Sequence, residues 1–259
     1  MSSDGFKNKK VVVTRPVERS ESLAKIIREN NGQPIIVPTL ELQLIKSKEL
    51  LYVVDNIDEY DWVVFTSPAG VKSFFSVYDK DSIPSKIAVI GVKTEEVLKQ
   101  FNQTPDLIPE DFTAEGLLES FSSIDLDGKK IALPRTLSAR NVLPNGLEEY
   151  GAEVTVAEAY TSSIPKDKTK IINLMEDILN NEIDIITFTS PLTVHNLLEV
   201  IKTEKSDKYD EFLHKLQYEV MVGSIGPITG KALEQYDIPA IEADRYTVKD
   251  MIDALLQKI

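Results

Sequence analysis

The sequence predicts an α/β protein built on parallel sheets, and three features carry that prediction. The chain repeats itself, each repeat alternates short apolar runs with amphipathic stretches, and the runs are apolar throughout. Asp61 opens D-W-V-V-F-T-S-P-A-G-V-K-S-F-F, and Asp184 opens D-I-I-T-F-T-S-P-L-T-V-H-N-L-L. The two lie 123 residues apart and share six of fifteen positions. Ile90 opens I-G-V-K-T-E-E-V-L and Ile225 opens I-G-P-I-T-G-K-A-L, 135 residues on. Lys9 opens K-K-V-V-V-T-R-P and Lys129 opens K-K-I-A-L-P-R-T, 120 residues on. Three segments recur in one order at a period too long for a solenoid, which marks a duplicated α/β unit. Continuous apolar strands followed by helices form parallel sheets covered on both faces.

The elements follow in chain order. Val11–Thr14 reads as a buried strand from its β-branched content. Leu23, Ile26 and Ile27 mark one helix face, and Gly32 sits where a helix C-terminal glycine belongs. Pro34–Val37, Trp62–Phe65, Ile87–Ile90, Ile131–Leu133, Val154–Val156, Ile185–Phe188 and Val220–Val222 read as further strands. Helical patterns cover Val71–Tyr78, Glu95–Phe101, Leu143–Tyr150, Val194–Ile201 and Thr229–Tyr236. The polar stretch Glu199–Glu219 is expected to hold a surface helix. Thr39–Ile45 breaks the pattern, because Leu40, Leu42 and Leu44 alternate with polar residues as in a half-exposed antiparallel strand. Glu158–Ile164, closed by Pro165, is extended-looking too. These two stretches read either as a paired ribbon outside both sheets or as two edge strands.

Composition narrows the function. The 259 residues carry 29 Lys plus Arg against 42 Asp plus Glu, a net charge of −13, which argues against nucleic-acid and anionic-membrane binding. No apolar run approaches the ~20 residues that span a bilayer. Met1–Lys10 lacks the apolar core of a secretory signal. Cysteine is absent, which excludes disulfides, thiolate metal sites and a cysteine nucleophile, and fits a cytoplasmic protein. The only histidines, His195 and His214, have no third ligand near them in sequence, so neither a metal site nor a Ser-His-Asp triad is expected.

The candidate site residues cluster where strands turn into helices. Thr66-Ser67-Pro68 and Thr189-Ser190-Pro191 suit helix capping, with serine accepting and proline filling the first turn. The same turns aim backbone N–H groups and hydroxyls at a ligand anion, since ligands bind outside the carboxyl ends of parallel strands. Gly91 with Thr94, and Gly226-Pro227 with Thr229, form another such turn, for capping or for close approach to a ligand. No G-K-[ST] or G-x-G-x-x-G accompanies them, so a nucleotide is not indicated. Thr14-Arg15 and Arg135 stand just past strand ends, with Arg140 at the start of the next helix. Arginines so placed suit carboxylate or phosphate recognition, unless they are solvated loop charges. Tyr160, in the second extended stretch, reads either as packing or as a phenolic donor. Glu41 holds the equivalent place in the first repeat.

V-V-V-T-R-P, the paired F-T-S-P-x-x-V, I-G-x-x-T with I-G-P-x-T-x-x-A-L, and Y-x-T-x-x-x-P at Tyr160–Pro165 together resemble the uroporphyrinogen-III synthase family from Lys9 to about Leu255. Val92-Lys93 departs from the small residues often found after Gly91 in that family. The resemblance implies two flavodoxin-like parallel-sheet domains joined by a two-stranded antiparallel linker. One domain would combine residues 1–38 and 165–259, the other would be 46–157, and 39–45 with 158–164 would be the linker strands.

The implied reaction is cyclisation of hydroxymethylbilane, an octacarboxylate linear tetrapyrrole, with loss of water and inversion of ring D. It needs a held conformation more than acid–base machinery, and no cofactor or metal. The resemblance places the family's functional tyrosine at Tyr160, as a donor to the departing hydroxyl. The turns at Thr14, Arg15, Thr66, Ser67, Gly91, Thr94, Arg135, Arg140, Thr189, Ser190, Gly226, Pro227 and Thr229 would bind substrate in an interdomain cleft. A cytoplasmic monomer is expected, in transient contact with the enzymes before and after it in its pathway. The alternative is a two-domain small-anion binding or sensing protein without catalysis, a class that shares two α/β domains on a two-strand hinge.

Overall fold

The structure is a computed structural model that describes residues 5–259; Met1–Asp4, the start of the stretch read above against a signal, lie outside the described residues. In chain order the elements begin β1 (Lys10–Val13), α1 (Val17–Glu29), β2 (Gln33–Ile36), β3 (Glu41–Leu44) and α2 (Lys48–Asp55). Next come β4 (Trp62–Phe65), α3 (Pro68–Phe75), β5 (Lys86–Val89), α4 (Val92–Lys99) and α5 (Ala114–Phe121). They continue with β6 (Lys130–Arg135), α6 (Val142–Glu149), β7 (Glu153–Glu158), β8 (Tyr160–Ser163) and α7 (Thr169–Leu179). The last are β9 (Ile185–Phe188), α8 (Pro191–Glu204), α9 (Tyr209–Tyr218), β10 (Met221–Ser224), α10 (Pro227–Glu234), β11 (Ile241–Glu242) and α11 (Val248–Leu256).

The chain folds into two compact units. One comprises the residues up to Glu41 together with Ser162–Ile259, and the other comprises Leu42–Thr161. The first holds a parallel sheet in the order β11-β10-β9-β1-β2. The second holds a parallel sheet in the order β5-β4-β6-β7, and Leu107 bridges Ala88 in parallel beyond β5. β3 and β8 form a separate two-stranded antiparallel sheet, where the chain passes from one unit to the other.

Continuous apolar strands are explained by the pleat, which sends neighbouring side chains to opposite faces, both covered. In the first unit Val12, Ile186 and Val222 face Leu174, Ile178, Leu197 and Leu233 of α7, α8 and α10. Val11, Val13 and Ile185 face the other way, onto Leu23 and Ile27 of α1 and Met251 and Leu255 of α11. In the second, Val63, Phe65 and Val89 pack on Leu50, Phe74 and Leu98 of α2, α3 and α4, and Trp62, Val64 and Ile131 pack on α5 and α6.

Both parallel sheets pair strands from different repeats, β1 with β9 and β6 with β4. The twin lysines and the twin aspartates specify this crossing. Asp184 accepts from the Lys10 N–H at 2.8 Å and from Lys9 Nζ at 3.0 Å. Asp61 accepts from the Lys130 N–H at 2.9 Å and from Lys129 Nζ at 3.1 Å. A second pair repeats as well, with Lys10 on Glu182 and Lys130 on Glu59.

Several boundaries differ from the sequence expectation. Helices begin earlier than their apolar periodicity, at Pro68, Val92, Pro191 and Pro227, because a first turn is set by its cap and carries few buried residues. Helices α2, α5, α7 and α11 were not read at all, although Ser47, Thr113 and Thr247 cap three of them. Glu158 belongs to β7, in register with Arg135, so the second strand of the small sheet is the shorter Tyr160–Ser163. β6 runs on to Arg135 through Pro134, which is tolerated because β4 pairs only with Ile131 and Ala132 on that side.

Two stability predictions follow from these contacts. A Cβ on Gly70 would stand 2.6 Å from the Pro134 carbonyl oxygen, a backbone atom that cannot swing away. A Cβ on Gly230 would instead meet the Glu242 carboxylate, the end of a flexible side chain. Gly70→Ala is expected to cost about 1–3 kcal/mol and Gly230→Ala under ~1 kcal/mol. Urea unfolding of the two variants checks the order. The pKa of Asp61 lies below its ordinary value, chiefly because the Lys130 N–H donates to it, with burial opposing and the Lys129 ammonium adding. A depressed carboxylate stabilises above the unfolded pKa and loses that contribution as pH falls from about 4 through the folded value. Asp61→Asn should therefore lower Tm by about 2–4 °C at pH 7, with the gap narrowing as pH falls below about 4. Thermal scans across that range would contradict this if the gap stayed constant.

Candidate active site

Each sheet has one place where strand order reverses, and its neighbouring turns diverge to opposite faces. In the first unit it lies between β1 and β9, and in the second between β6 and β4. Crevices at such switch points, outside the carboxyl ends of the strands, are where open α/β sheets bind ligands. Thr14, Arg15, Thr189 and Ser190 surround the first switch point, and Thr66, Ser67 and Arg135 the second.

At the second switch point Ser67 caps α3, accepting from the Gly70 N–H at 3.2 Å. Pro68 has no N–H, which leaves that of Ala69 as a first-turn donor the helix cannot satisfy. The Ser67 hydroxyl also donates to the Tyr160 phenol oxygen at 2.9 Å. The phenol thus accepts from serine and keeps its own O–H for another acceptor. Tyr160 is buried, packed in the same core cluster as Phe65, Ala157 and Ala159. Of the two sequence alternatives the packing is realised, and the hydrogen bond seen here is one the phenol accepts.

Arg135 is the last residue of β6, not just past it, and it is buried. It donates from Nε to the Thr136 carbonyl at 3.2 Å and from Nη2 to the Arg140 carbonyl at 2.8 Å, tying down the loop before α6. Burial lowers its pKa, and proximity to Tyr160 acts in the opposite sense. Arg140 does not begin the helix: α6 starts at Val142, and the exposed Arg140 guanidinium pairs with Glu115 at 3.0 Å. Gly91 precedes α4 with φ 87°, a left-handed conformation that glycine adopts without cost. Thr94 is buried one turn on.

At the first switch point Thr14 is fully buried, and its hydroxyl donates to the Thr187 carbonyl at 2.8 Å. Ser190 caps α8, accepting from the Thr193 N–H at 3.4 Å, with no phenol beside it. Thr66 and Thr189 are half-buried. Arg15 is half-buried, and among the described residues no carboxylate pairs with it. Burial, and then the like charge of Arg19, hold its pKa below the ordinary value. An anionic ligand would relieve both effects. Gly226 caps α10 in extended conformation, Pro227 is exposed and Thr229 is buried.

The structure therefore brings Ser67, Arg135 and Tyr160 together. Arg15 with the Thr189–Ser190 turn belongs to the other unit, and Arg140 sits apart on an exposed ion pair. Sequence reading missed the Ser67–Tyr160 bond, since 93 residues separate the partners. It also missed the unpaired Arg19 beside Arg15, for which the i,i+4 spacing was the available signal. His195 faces the Tyr236 hydroxyl at 3.1 Å, and His214 is exposed. Among the described residues no group of three potential ligands could hold a metal, and no helix is long and apolar enough to cross a membrane.

The comparisons with known proteins bear on the family and the fold. Residues 21–253 match the family described as uroporphyrinogen-III synthase HemD. A Methanothermobacter thermautotrophicus protein provisionally named uroporphyrinogen-III synthase is 43% identical over 95% of this chain and 96% of its own. The uroporphyrinogen-III synthase of Synechococcus elongatus is 27% identical over 99% of this chain and 98% of its own. The fold is similar to that of uroporphyrinogen-III synthetase from Helicobacter pylori, with TM-score 0.55 at 14% identity, covering 97% of this chain and 100% of that one. It is also similar to a mutant of the Thermus thermophilus enzyme, with TM-score 0.51 at 20% identity and the same coverage. These matches favour an enzyme over the binding-only alternative. The duplicated turns, the swapped repeats and the extent of the family match together assign this chain to the uroporphyrinogen-III synthase family.

Proposed function

We propose that this chain closes hydroxymethylbilane to uroporphyrinogen III, with Tyr160 as the hydrogen-bond donor to the departing hydroxyl. Hydroxide leaves the terminal hydroxymethyl group of ring A with the donated proton, as water, and a cationic azafulvenium remains, discharged when the ring carbon later gives up the proton that restores the donor. Ring D attacks it through its substituted carbon, and the resulting spiro intermediate breaks and recloses with ring D inverted. The ring carbon then loses a proton. The uninverted isomer forms spontaneously, so the protein's task is to hold the productive conformation and to assist departure.

The observation that carries this reading is the Ser67–Tyr160 hydrogen bond. It leaves the phenol proton free for an acceptor other than Ser67, close to the Arg135 guanidinium. Substrate carboxylates would be met by Arg15, by the turns at Thr66–Ser67, Gly91–Thr94, Thr189–Ser190 and Gly226–Thr229, and by the Thr14 and Arg135 backbone. With a net charge of −13, long-range attraction opposes the octacarboxylate, so short-range donors must dominate. The same proposal keeps residues 1–38 with 165–259 as one domain, 46–157 as the other, and 39–45 with 158–164 as linker strands. It includes a cytoplasmic monomer, transient contact with enzymes of adjacent pathway steps, and no metal or organic cofactor.

Tyr160→Phe should slow isomer-III formation about 10²–10⁴-fold with Tm little changed. Ser67→Ala and Ser190→Ala remove equivalent caps and should each cost about 1 kcal/mol. Only Ser67→Ala also frees the phenol, so it alone should lower turnover clearly, more than expected from capping by sequence. Chromatography of the oxidised porphyrin isomers measures both effects, and wild-type turnover in a folded Tyr160→Phe would defeat the assignment. Activity should survive exhaustive chelation; loss that one divalent metal restores would contradict the cofactor-free reading.

A further inference from the structure

Of seven non-glycine residues with positive φ among the described residues, four are asparagines, the side chain that best tolerates this conformation. Tyr246, at φ 57°, is the one aromatic among them. A bulky residue adopts the left-handed conformation rarely and at a cost, and such outliers gather at functional sites. The residue is 63% exposed, so burial does not repay that cost, and its hydroxyl has no hydrogen-bond partner among the described residues. The ring lies against Gly226, where a Cβ would come within 2.5 Å of the ring atom Cδ1. Gly226 itself is extended, a conformation open to any residue, so what requires glycine there is the tyrosine ring. The two positions fit one another across the turn that links β10 to α10. Beside them Pro227 is exposed and Ile228 is 76% exposed. Val17 and Leu192 likewise stand exposed in the first turns after β1 and β9 of the same sheet. Apolar surface thus accumulates on the carboxyl-end rim of this unit, next to backbone donors suited to carboxylates.

We propose that Tyr246 is a positioning residue whose ring, propped on Gly226, seats one pyrrole ring of the tetrapyrrole. The proposal rests on the reading of hydroxymethylbilane as substrate. Backbone N–H groups and arginines can satisfy the carboxylates of such a molecule, but its pyrrole planes need flat apolar contact. An aromatic ring provides that contact with few rotatable bonds to immobilise. The left-handed backbone sets the ring's direction before substrate arrives. Restricting one ring's orientation favours the inverted closure over the spontaneous one.

Tyr246→Asn separates the ring from the fold, because asparagine suits the left-handed backbone and removes the aromatic face. Tm should not fall. KM for hydroxymethylbilane should rise roughly five- to tenfold, kcat should change less than about twofold, and the uninverted isomer should take a larger share of product. Tyr246→Phe should bring KM back close to the wild-type value. A stable Tyr246→Asn with wild-type KM and isomer ratio overturns the proposal, as does a Phe variant that behaves like Asn. If the wild-type chain forms no uroporphyrinogen III, the functional reading itself fails and takes this proposal with it. An active wild type with an indifferent Asn variant removes only the role of Tyr246.

Discussion

Asp61 and Asp184 each reach across to the twin lysines that begin the other repeat's first strand, and the architecture depends on that crossed contact. Each carboxylate accepts from a backbone N–H at the start of the strand and from the neighbouring ammonium. Two donors at a strand's entry fix both its partner and its register. A slip of one residue would turn every buried side chain of a doubly covered strand to the wrong face. The result is that β1 is bound to β9 and β6 to β4, so neither repeat completes a sheet alone.

The same crossing assembles the two switch points. Each switch point is bordered by one turn from each repeat: Arg15 with Thr189 and Ser190 in one unit, Arg135 with Thr66 and Ser67 in the other. Capping chemistry at these turns leaves backbone donors over. A serine that satisfies one first-turn N–H leaves other N–H groups facing outward, and proline at the next position removes a competitor. Duplication supplied two such frames with equal backbone geometry.

The frames then diverged in their side chains. In one, Ser67 meets the Tyr160 phenol, and a buried guanidinium closes the loop behind it. In the other, among the described residues Ser190 bonds no phenol and Arg15 pairs with no carboxylate. Glu41 stands where the first repeat would carry its counterpart of Tyr160, and it accepts from the Lys166 N–H instead.

Period, order and turn chemistry are local properties, which is why they were legible in the residues alone. The paired F-T-S-P segments announced both capped turns, the β-branched runs announced the strands, and the alternation of Leu40, Leu42 and Leu44 announced one strand of the small sheet but left its pairing open. Helices α2, α5, α7 and α11 were legible too, since each buries apolar residues at helical spacing and Ser47, Thr113 and Thr247 cap three of them, but the sequence reading did not assign them. The partners of the long-range hydrogen bonds were not legible in any local pattern. Ser67 with Tyr160, the lysine pairs with the opposite aspartates, and Tyr246 with Gly226 are each brought together by strand pairing or loop closure. Only the folded chain decides such contacts, because a hydrogen bond or a close packing distance depends on position in space, and separation along the sequence carries no record of it.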